Sequence, residues 1–262
     1  METKNVMDSF YGAYDEDNRL TSRHGMVEYL TTMRYIERYL RPGMRVLEIG
    51  AATGRYSHTL ARKGYSVDAV ELVERNIEVF RQNTQPGEEI SVVQGDARDL
   101  SAFPSEGYDV TLLLGPMYHL FTREDKLKAL SEAVRVTKKG GTVFVAYCGN
   151  EATILQFCFL RGMYKEPRYR GLIDPVTFKA DSDPAELFEL HRTEEVDELR
   201  SIFPVTQLHY VAADGFANYM RQTLAEMDEE LYQAYLRYHF ATCERQDMVG
   251  YSNHTLDIFR KD

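Results

Sequence analysis

Residues 46–57 read VLEIGAATGRYS, an apolar run that breaks into small residues just before a helical pattern begins. The apolar residues favour a strand buried on both faces, because such strands are nearly continuously apolar instead of alternating. The small residues that follow allow a ligand to lie against bare backbone at a helix N-terminus, where unpaired N–H groups collect. The stretch therefore predicts a strand, a tight loop and a helix that together bind a nucleotide-like ligand.

The spacing of the small residues distinguishes two known patterns. The dinucleotide fingerprint G-x-G-x-x-G would place glycines at positions 50, 52 and 55, but the chain has alanine at 52 and arginine at 55. The order Glu48, Gly50, Ala52, Gly54 resembles motif I of class I S-adenosylmethionine (SAM)-dependent methyltransferases, an acid followed by glycines at alternate positions. Ala52 departs from the glycine that is usual there. For this loop alone, an ordinary strand-to-helix turn stays open as the alternative.

A second acid follows at the distance that such a site requires. The predicted second strand, residues 66–72, contains Glu71, 21 residues after Gly50. In Rossmann-like sites an acid at this place accepts hydrogen bonds from both ribose hydroxyls, which two carboxylate oxygens can match. The GDA stretch at 95–97 follows the third strand and, in the family that the chain resembles, lies beside adenine. A common Gly-Asp turn is the alternative for that stretch.

The resemblance also implies which residues bind the cofactor. They come from an N-terminal segment that folds over the cofactor in such methyltransferases, from motif I, and from the ends of the second, third and fourth strands. The cofactor-binding residues expected on this basis are Tyr11, Arg19, Glu48, Gly50, Ala51, Ala52, Thr53, Gly54, Glu71, Leu72, Asp96, Ala97, Arg98, Leu114, Gly115 and Met117.

The loop at 115–120 leaves the carboxyl end of the fourth predicted strand, the edge at which open α/β sheets bind ligands. The sulfonium of SAM already activates the methyl group, so the protein must mainly align the acceptor and take up a proton. His119 is the main catalytic candidate, because an unperturbed histidine has a pKa near neutrality, and Tyr118 is the second. A packed loop histidine is the alternative. Weaker candidates at the same edge are Tyr147, His209 and His254.

The resemblance covers residues 40–148 well and residues 193–260 in outline. It implies an α/β fold with a Rossmann-like, seven-stranded, mostly parallel sheet in the order 3-2-1-4-5-7-6, interrupted by helical cap insertions. The expected units are an N-terminal helical segment over the cofactor (1–40), a SAM-binding core (41–149), a cap insertion (150–192), two segments that complete the core (193–213 and 250–262) and a second, helical cap insertion (214–249).

Composition limits the partners that the chain can have. The chain of 262 residues has a formal net charge of −10, whereas binding to a nucleic-acid backbone relies on clustered basic residues. Three scattered cysteines favour neither a disulfide framework nor a zinc site, and no metal is expected. No apolar run approaches ~18 residues and no signal peptide is evident, so we expect a cytoplasmic protein without a membrane partner, either a monomer or a homodimer.

Together these patterns predict a SAM-dependent methyltransferase that acts on a small-molecule acceptor and releases S-adenosylhomocysteine. Two other classes stay open. A non-catalytic SAM-binding or regulatory protein would keep every cofactor motif. An NAD-dependent oxidoreductase would share the strand, the loop and the ribose acid, but the missing third glycine and the GDA stretch count against it.

Overall fold

The strands form a single mixed sheet in the computed structural model, which describes residue 7, residues 19–186 and residues 188–262. Within these residues the strands are β1 (Arg45–Ile49), β2 (Ser66–Glu71), β3 (Ile90–Gln94), β4 (Tyr108–Leu113), β5 (Thr137–Gly149), β6 (Leu190–His191), β7 (Val205–Ala212) and β8 (His254–Lys261).

The α-helices flank the sheet or lie in the two insertions. They are α1 (Arg23–Tyr39), α2 (Arg55–Arg62), α3 (Glu74–Asn83), α4 (Arg123–Val136), α5 (Asn150–Thr153), α6 (Pro167–Gly171), α7 (Thr193–Arg200), α8 (Arg221–Glu226), α9 (Glu229–Thr242) and α10 (Gln246–Val249). A π-helix spans Ile154–Leu160, and short 3-10 helices span Pro116–Tyr118, Met163–Lys165 and Pro184–Glu186.

The strand order confirms the predicted α/β topology. The sheet runs β3-β2-β1-β4-β5-β8-β7, with β6 paired to the end of β5. The β8 strand is antiparallel to both of its neighbours, whereas the other pairings are parallel. This is the expected order 3-2-1-4-5-7-6, renumbered because the two-residue β6 precedes its last two strands. A strand of two residues has no periodicity that a sequence could reveal.

The central strands are buried on both faces, as the apolar motif at β1 predicts. Val46 is fully buried in one hydrophobic cluster, and Leu47 is fully buried in another, because successive side chains of a strand point to opposite faces. In β4, Leu112 and Leu113 divide in the same way. This two-sided core places the carboxyl ends of β1, β2 and β4 at one edge of the sheet.

The fifth strand begins earlier than the sequence indicates. We expected residues 138–141, KKGG, to end the preceding helix and residues 142–147 to form the strand, but β5 already begins at Thr137. Thr137 pairs with Tyr108 of β4, and after a register shift the pairing resumes with Thr142 opposite Val110. The Lys138 side chain also contacts β4, with Nζ 2.8 Å from Asp109 Oδ1. The extension is therefore set by tertiary contacts and not by local propensity.

The first insertion departs from the single helix expected at 151–163. One turn of α-helix, α5, passes into a π-helix that ends before Gly162, whose φ of 73° is left-handed. A π-helix widens the turn by one residue and redirects the chain. The segment predicted over 3–14 lies outside the described residues except for Met7, whose buried side chain packs on Val73. Among the helices described, none is both long enough and apolar enough to cross a membrane.

Candidate functional site

The loop after β1 bends sharply around Gly50. Its φ is 79°, and a Cβ at this position would lie 2.6 Å from Cδ of Pro116. The amides of Gly50 and Ala51 donate to the carbonyl of Val70, at 2.8 and 3.1 Å. Glycine is needed here because a side chain would be both strained and overlapping. The loop after β1 is thereby fixed against the end of β2 and against the loop after β4.

Glu71, at the end of β2, holds the loop after β1 in place by hydrogen bonds to its carboxylate. Oε2 accepts a hydrogen bond from the Ala52 amide at 2.8 Å, and Oε1 accepts from the Val73 amide at 3.0 Å and from Nδ2 of Asn76 at 3.2 Å. The residue is only 5% exposed. A buried carboxylate that faces a ligand cavity can accept further hydrogen bonds, since each oxygen has two lone pairs.

Glu48 is buried beneath the loop after β1 and accepts a hydrogen bond from the Ser57 hydroxyl of α2. Burial raises the pKa of Glu48 to about 8 in spite of the Ser57 hydrogen bond, and the negative charge of Glu71 adds to the rise. Loss of hydration penalises the charged form, so this carboxyl is mostly protonated at neutral pH. Glu48 therefore contributes an uncharged carboxyl to the site at neutral pH.

Asp96, the acid of the GDA stretch, is kept in its ionised form by Arg98. Arg98 donates from Nη2 to Asp96 Oδ2 at 2.6 Å and from its backbone amide to Oδ1 at 2.9 Å. Burial of Asp96 acts to raise its pKa, but the Arg98 hydrogen bonds outweigh burial and lower that pKa. Arg98 Nη1 also lies 3.1 Å from Asp125 at the start of α4. The pair is thus anchored to the helix that follows β4.

One cavity of about 1060 Å³ joins these elements. Single ligand sites usually measure about 300–1,000 Å³, so the space is large for one small molecule. Among the predicted site residues, the following line it: Arg19, Glu48, Gly50, Ala51, Ala52, Thr53, Glu71, Leu72, Asp96, Ala97, Arg98, Leu114, Gly115, Tyr118 and His119. The structure therefore places residues from five separate segments around one space.

Three predicted cofactor residues are not placed at the cavity wall. Gly54 caps α2 with a φ of 88°, and a Cβ there would lie 2.5 Å from the ring of Phe80. Met117 is fully buried in the hydrophobic core. Tyr11 lies outside the described residues. Gly54 therefore begins the helix that follows the loop after β1, and Met117 packs in the core beneath the loop after β4.

The two insertions contribute unequally to the cavity. The first supplies an apolar and aromatic wall that includes Ile154, Phe157, Cys158, Met163, Tyr169, Leu172 and Ile173. The second insertion supplies Asn218 and Arg221. Its helices also pack on α1, where Leu224, Tyr232 and Leu236 form a cluster with Val27. Both insertions therefore touch the ligand space, but the first forms most of its apolar surface.

A polar cluster in the cavity wall was not predicted as a unit. Arg19 donates to both carboxylate oxygens of Glu28, at 2.9 and 3.1 Å, and Glu28 Oε2 lies 3.3 Å from Nδ1 of His254. That nitrogen is also 2.9 Å from Oδ2 of Asp214. The sequence analysis named Arg19 and, as a weaker candidate, His254. It gave no signal for Glu28 or Asp214, because the cluster unites residues that are about 200 positions apart.

The ligand atoms of Glu28, Asp214 and His254 lie within 4.8 Å of one another, which is compatible with a bound metal ion. Both carboxylates, however, already accept hydrogen bonds from cationic or polar groups: Arg19 binds Glu28, and the Ser252 hydroxyl donates to Asp214 at 2.7 Å. The arrangement is that of a hydrogen-bonded ion cluster.

Comparison with known proteins connects this geometry with a family. Residues 46–141 match the family model described as "Methyltransferase domain". The ubiquinone biosynthesis O-methyltransferase of Stutzerimonas stutzeri is 27% identical over 70% of this chain and 79% of its own length. Residues 46–141 thus match a methyltransferase domain, and the chain is similar to class I SAM-dependent methyltransferases in sequence and fold. SAM is the cofactor of this domain.

Two further relatives show how widely the domain is used. A SAM-dependent Diels-Alderase of Talaromyces variabilis is 32% identical over 39% of this chain and 35% of its own length. A solved SAM-dependent methyltransferase from Thermotoga maritima, described as a possible histamine N-methyltransferase, shares the fold with a TM-score of 0.59, at 20% identity over 99% of this chain and all of its own. Four curated relatives are matched over only 35% to 55% of their length.

The residues of the cavity fit SAM by their chemistry. Glu71 offers carboxylate oxygens for a diol, and Asp96 offers an ionised acceptor at the end of β3. The bend at Gly50 leaves the backbone of the loop after β1 facing the same space. When bound, SAM supplies a methyl group that is already activated for transfer. Arg19 is paired with Glu28 here, and its predicted contact with the cofactor carboxylate stays a prediction.

Proposed function

We propose that this protein is a methyltransferase that transfers the methyl group of SAM to a small-molecule acceptor. The observation that carries the proposal is the single cavity in which the loop after β1 and Glu71 face the apolar wall of the first insertion. Its volume of about 1060 Å³ has room for an acceptor beside a cofactor. Because the enclosed wall is largely apolar, a small molecule fits it better than a macromolecular chain.

The chain's own residues would align the acceptor and exclude water. Phe157 and Tyr169 of the first insertion line the cavity, and we propose that residues 150–192, with 214–249, act as its cap. His119 and Tyr118 follow β4 at the same wall. Burial holds the pKa of Tyr118 well above its usual value, so this hydroxyl stays protonated and can donate a hydrogen bond to the acceptor. We assign the proton-accepting role to His119, whose ring lies 5.5 Å from that of Phe188.

The test is transfer of labelled methyl groups from SAM into fractionated cell extract. Incorporation that depends on the protein and is inhibited by S-adenosylhomocysteine would support the proposal, and purification of the labelled fraction would identify the acceptor. Binding of SAM by calorimetry without incorporation into any fraction would contradict methyl transfer and favour a binding or regulatory protein.

A second candidate function follows from the Diels-Alderase relative, which uses SAM in a reaction named for carbon–carbon bond formation. A domain of this kind can therefore serve a non-methylating enzyme. In that case the extract would yield an isomerised product whose formation requires SAM but which carries no label. Mass spectrometry of the extract incubated with and without SAM would detect such an unlabelled product, and its SAM-dependent formation would separate this candidate from a binding or regulatory protein.

The wall formed by the first insertion gives a specific prediction. Replacing Phe157 by alanine should lower kcat/KM for methyl transfer about tenfold, because much of the contact area of one aromatic side chain, worth about 1.5–3 kcal/mol when fully buried, is lost. SAM affinity should change little. Phe159 is a matched control, since it belongs to the same π-helix, is 52% exposed and does not line the cavity. Equal effects of Phe157→Ala and Phe159→Ala on labelled-methyl incorporation would refute the assignment.

A further inference from the structure

The cavity has two ends, which lie on different strands of the sheet. Glu71 and Asp96, whose chemistry fits the cofactor, are at the ends of β2 and β3. His254 also lines the cavity, but it is the first residue of β8, four strands away from β2 in the order β2-β1-β4-β5-β8. Neighbouring strands are about 4.8 Å apart, so roughly 19 Å of sheet separates the two ends. His254 therefore belongs to the part of the cavity that is left for the acceptor.

Two carboxylates lie against one side of the His254 ring. Nδ1 is 2.9 Å from Oδ2 of Asp214 and 3.3 Å from Oε2 of Glu28. Because a carboxylate can only accept hydrogen bonds, Nδ1 carries a hydrogen. Burial acts to lower the pKa of His254, but the negative groups beside the ring, Glu28 foremost, outweigh burial and hold that pKa well above its usual value. The ring is therefore an imidazolium at neutral pH, and Nε2 carries a hydrogen as well.

The two carboxylates are themselves used by groups of the protein. Asp214 is 1% exposed and accepts hydrogen bonds from the Ser252 hydroxyl at 2.7 Å and from Nδ2 of Asn218 at 2.5 Å, in addition to the imidazolium. Glu28 is 8% exposed and accepts from two nitrogens of Arg19, at 2.9 and 3.1 Å. Both acids therefore orient the ring and are not the groups that the cluster offers to a ligand.

Nε2 is the ring nitrogen that faces the cavity. It has no hydrogen-bond partner among the described residues, and the buried side-chain nitrogens and oxygens there that lack a partner belong to His191 and Asp257. Nε2 is therefore accessible, in a side chain that is 16% exposed. The ring of Tyr118 lies 5.7 Å away, and Cys148 of β5 is opposite His254 across the two strands. A charged N–H donor in such a cavity favours a ligand that supplies an acceptor oxygen.

We propose that Nε2 of His254 donates a charge-assisted hydrogen bond to a carboxylate of the methyl acceptor, which makes the acceptor a small aromatic acid. This inference rests on the proposed function, since it names the chemical class of the acceptor. The carboxylate follows from the charge of the donor, because hydrogen bonds that involve ionised groups are roughly twice as strong as neutral ones. The aromatic part follows from Phe157 and Tyr169, which line the same cavity and can pack against a ring.

The first experiment titrates the protein, saturated with S-adenosylhomocysteine, with benzoate and with benzamide at neutral pH and follows binding by ligand-observed NMR. The two probes have nearly the same shape, but only benzoate has a carboxylate. We expect benzoate to bind at least about tenfold more tightly, because the hydrogen bond to benzamide has a neutral acceptor. Equal affinities, or no binding of benzoate at about 10 mM, would overturn the proposal, and this comparison requires no variant to fold.

His254→Gln removes the charge of the ring and keeps an N–H donor of similar reach. The affinity for benzoate should fall about tenfold, whereas the affinity for benzamide should change little. His209→Gln is the control and should leave both affinities unchanged. The ring of His209 likewise contacts a carboxylate, with Nδ1 2.8 Å from Oε2 of Glu244, but His209 does not line the cavity.

Two results with folded His254→Gln would contradict the proposal. One is an unchanged preference for benzoate over benzamide. The other is a loss of affinity for S-adenosylhomocysteine as large as the loss for benzoate, because His254 would then bind the carboxylate of the cofactor and not that of the acceptor.

Fractionation of the cell extract by anion exchange at about pH 8 tests the class of the natural acceptor, because a carboxylic acid is anionic at that pH. We expect labelled methyl groups to be incorporated from the retained fraction. Incorporation confined to the flow-through would support methyl transfer but overturn the aromatic acid. Absence of incorporation from every fraction would contradict the proposed function, and the comparison of benzoate with benzamide would still decide whether His254 binds a carboxylate.

Discussion

Replacing Glu48 by glutamine is expected to stabilise the protein at alkaline pH by about 3–5 kcal/mol relative to the unsubstituted chain, and to leave its stability near pH 4 almost unchanged. The carboxyl has a pKa of about 8 in the folded protein, against an ordinary value of 4.5. Between these two values the folded state binds more protons than the unfolded state, so the free energy of unfolding falls as pH rises. Glutamine keeps an oxygen for the Ser57 hydroxyl and has no charge to bury.

Urea unfolding of both proteins between pH 4 and pH 9 measures this difference. Glu74→Gln is the matched control, because Glu74 is exposed and its pair with Arg81, at 3.7 Å, is a surface contact worth at most about 1 kcal/mol. If Glu48→Gln and the unsubstituted protein show parallel pH profiles, Glu48 is charged in the folded protein and its assignment here is wrong.

Replacing Glu71 by alanine is expected to weaken SAM binding about tenfold to a hundredfold, which corresponds to the roughly 1.5–3 kcal/mol typical of hydrogen bonds to a charged group. The carboxylate lines the cavity, where we assign it the ribose hydroxyls, and it also accepts from the amides of Ala52 and Val73. Because two amides lose their acceptor, the free energy of unfolding should also fall, by about 1–3 kcal/mol for each amide that stays unsatisfied.

Calorimetric titration with SAM at a temperature where the variant is folded separates the two effects. Glu74→Ala changes an acid only three residues away that does not line the cavity, and it should bind SAM normally. A dissociation constant for Glu71→Ala equal to that of Glu74→Ala would exclude a contact between Glu71 and the cofactor.

The predictions that succeeded concern features encoded over a few neighbouring residues. The sequence patterns at 205–212 and 90–94 predict strands over these residues, and β7 and β3 have these bounds. Where tertiary contacts override local signals, the sequence predicts the wrong boundary: the KKGG stretch suits a helix end, yet β5 begins at Thr137, which pairs with Tyr108 of β4. Met117 is adjacent to lining residues in sequence, but its side chain turns into the core because the short helix after Gly115 rotates successive residues to different sides.

By itself, the sequence determined the α/β class, since apolar periodicity and the motif around Gly50 lie within short stretches of chain, and the resemblance to class I methyltransferases supplied the strand order. Only the tertiary structure decided the charge state of Glu48 and the polar cluster in the cavity wall. The pKa of Glu48 is raised because α2 and the sheet remove it from water, a property of packing and not of spacing. Glu28, Asp214 and His254 lie on three segments that are far apart in the chain and meet only in the folded protein. Contacts between such distant residues follow from the packing of the folded chain, so no local pattern in the sequence predicts them.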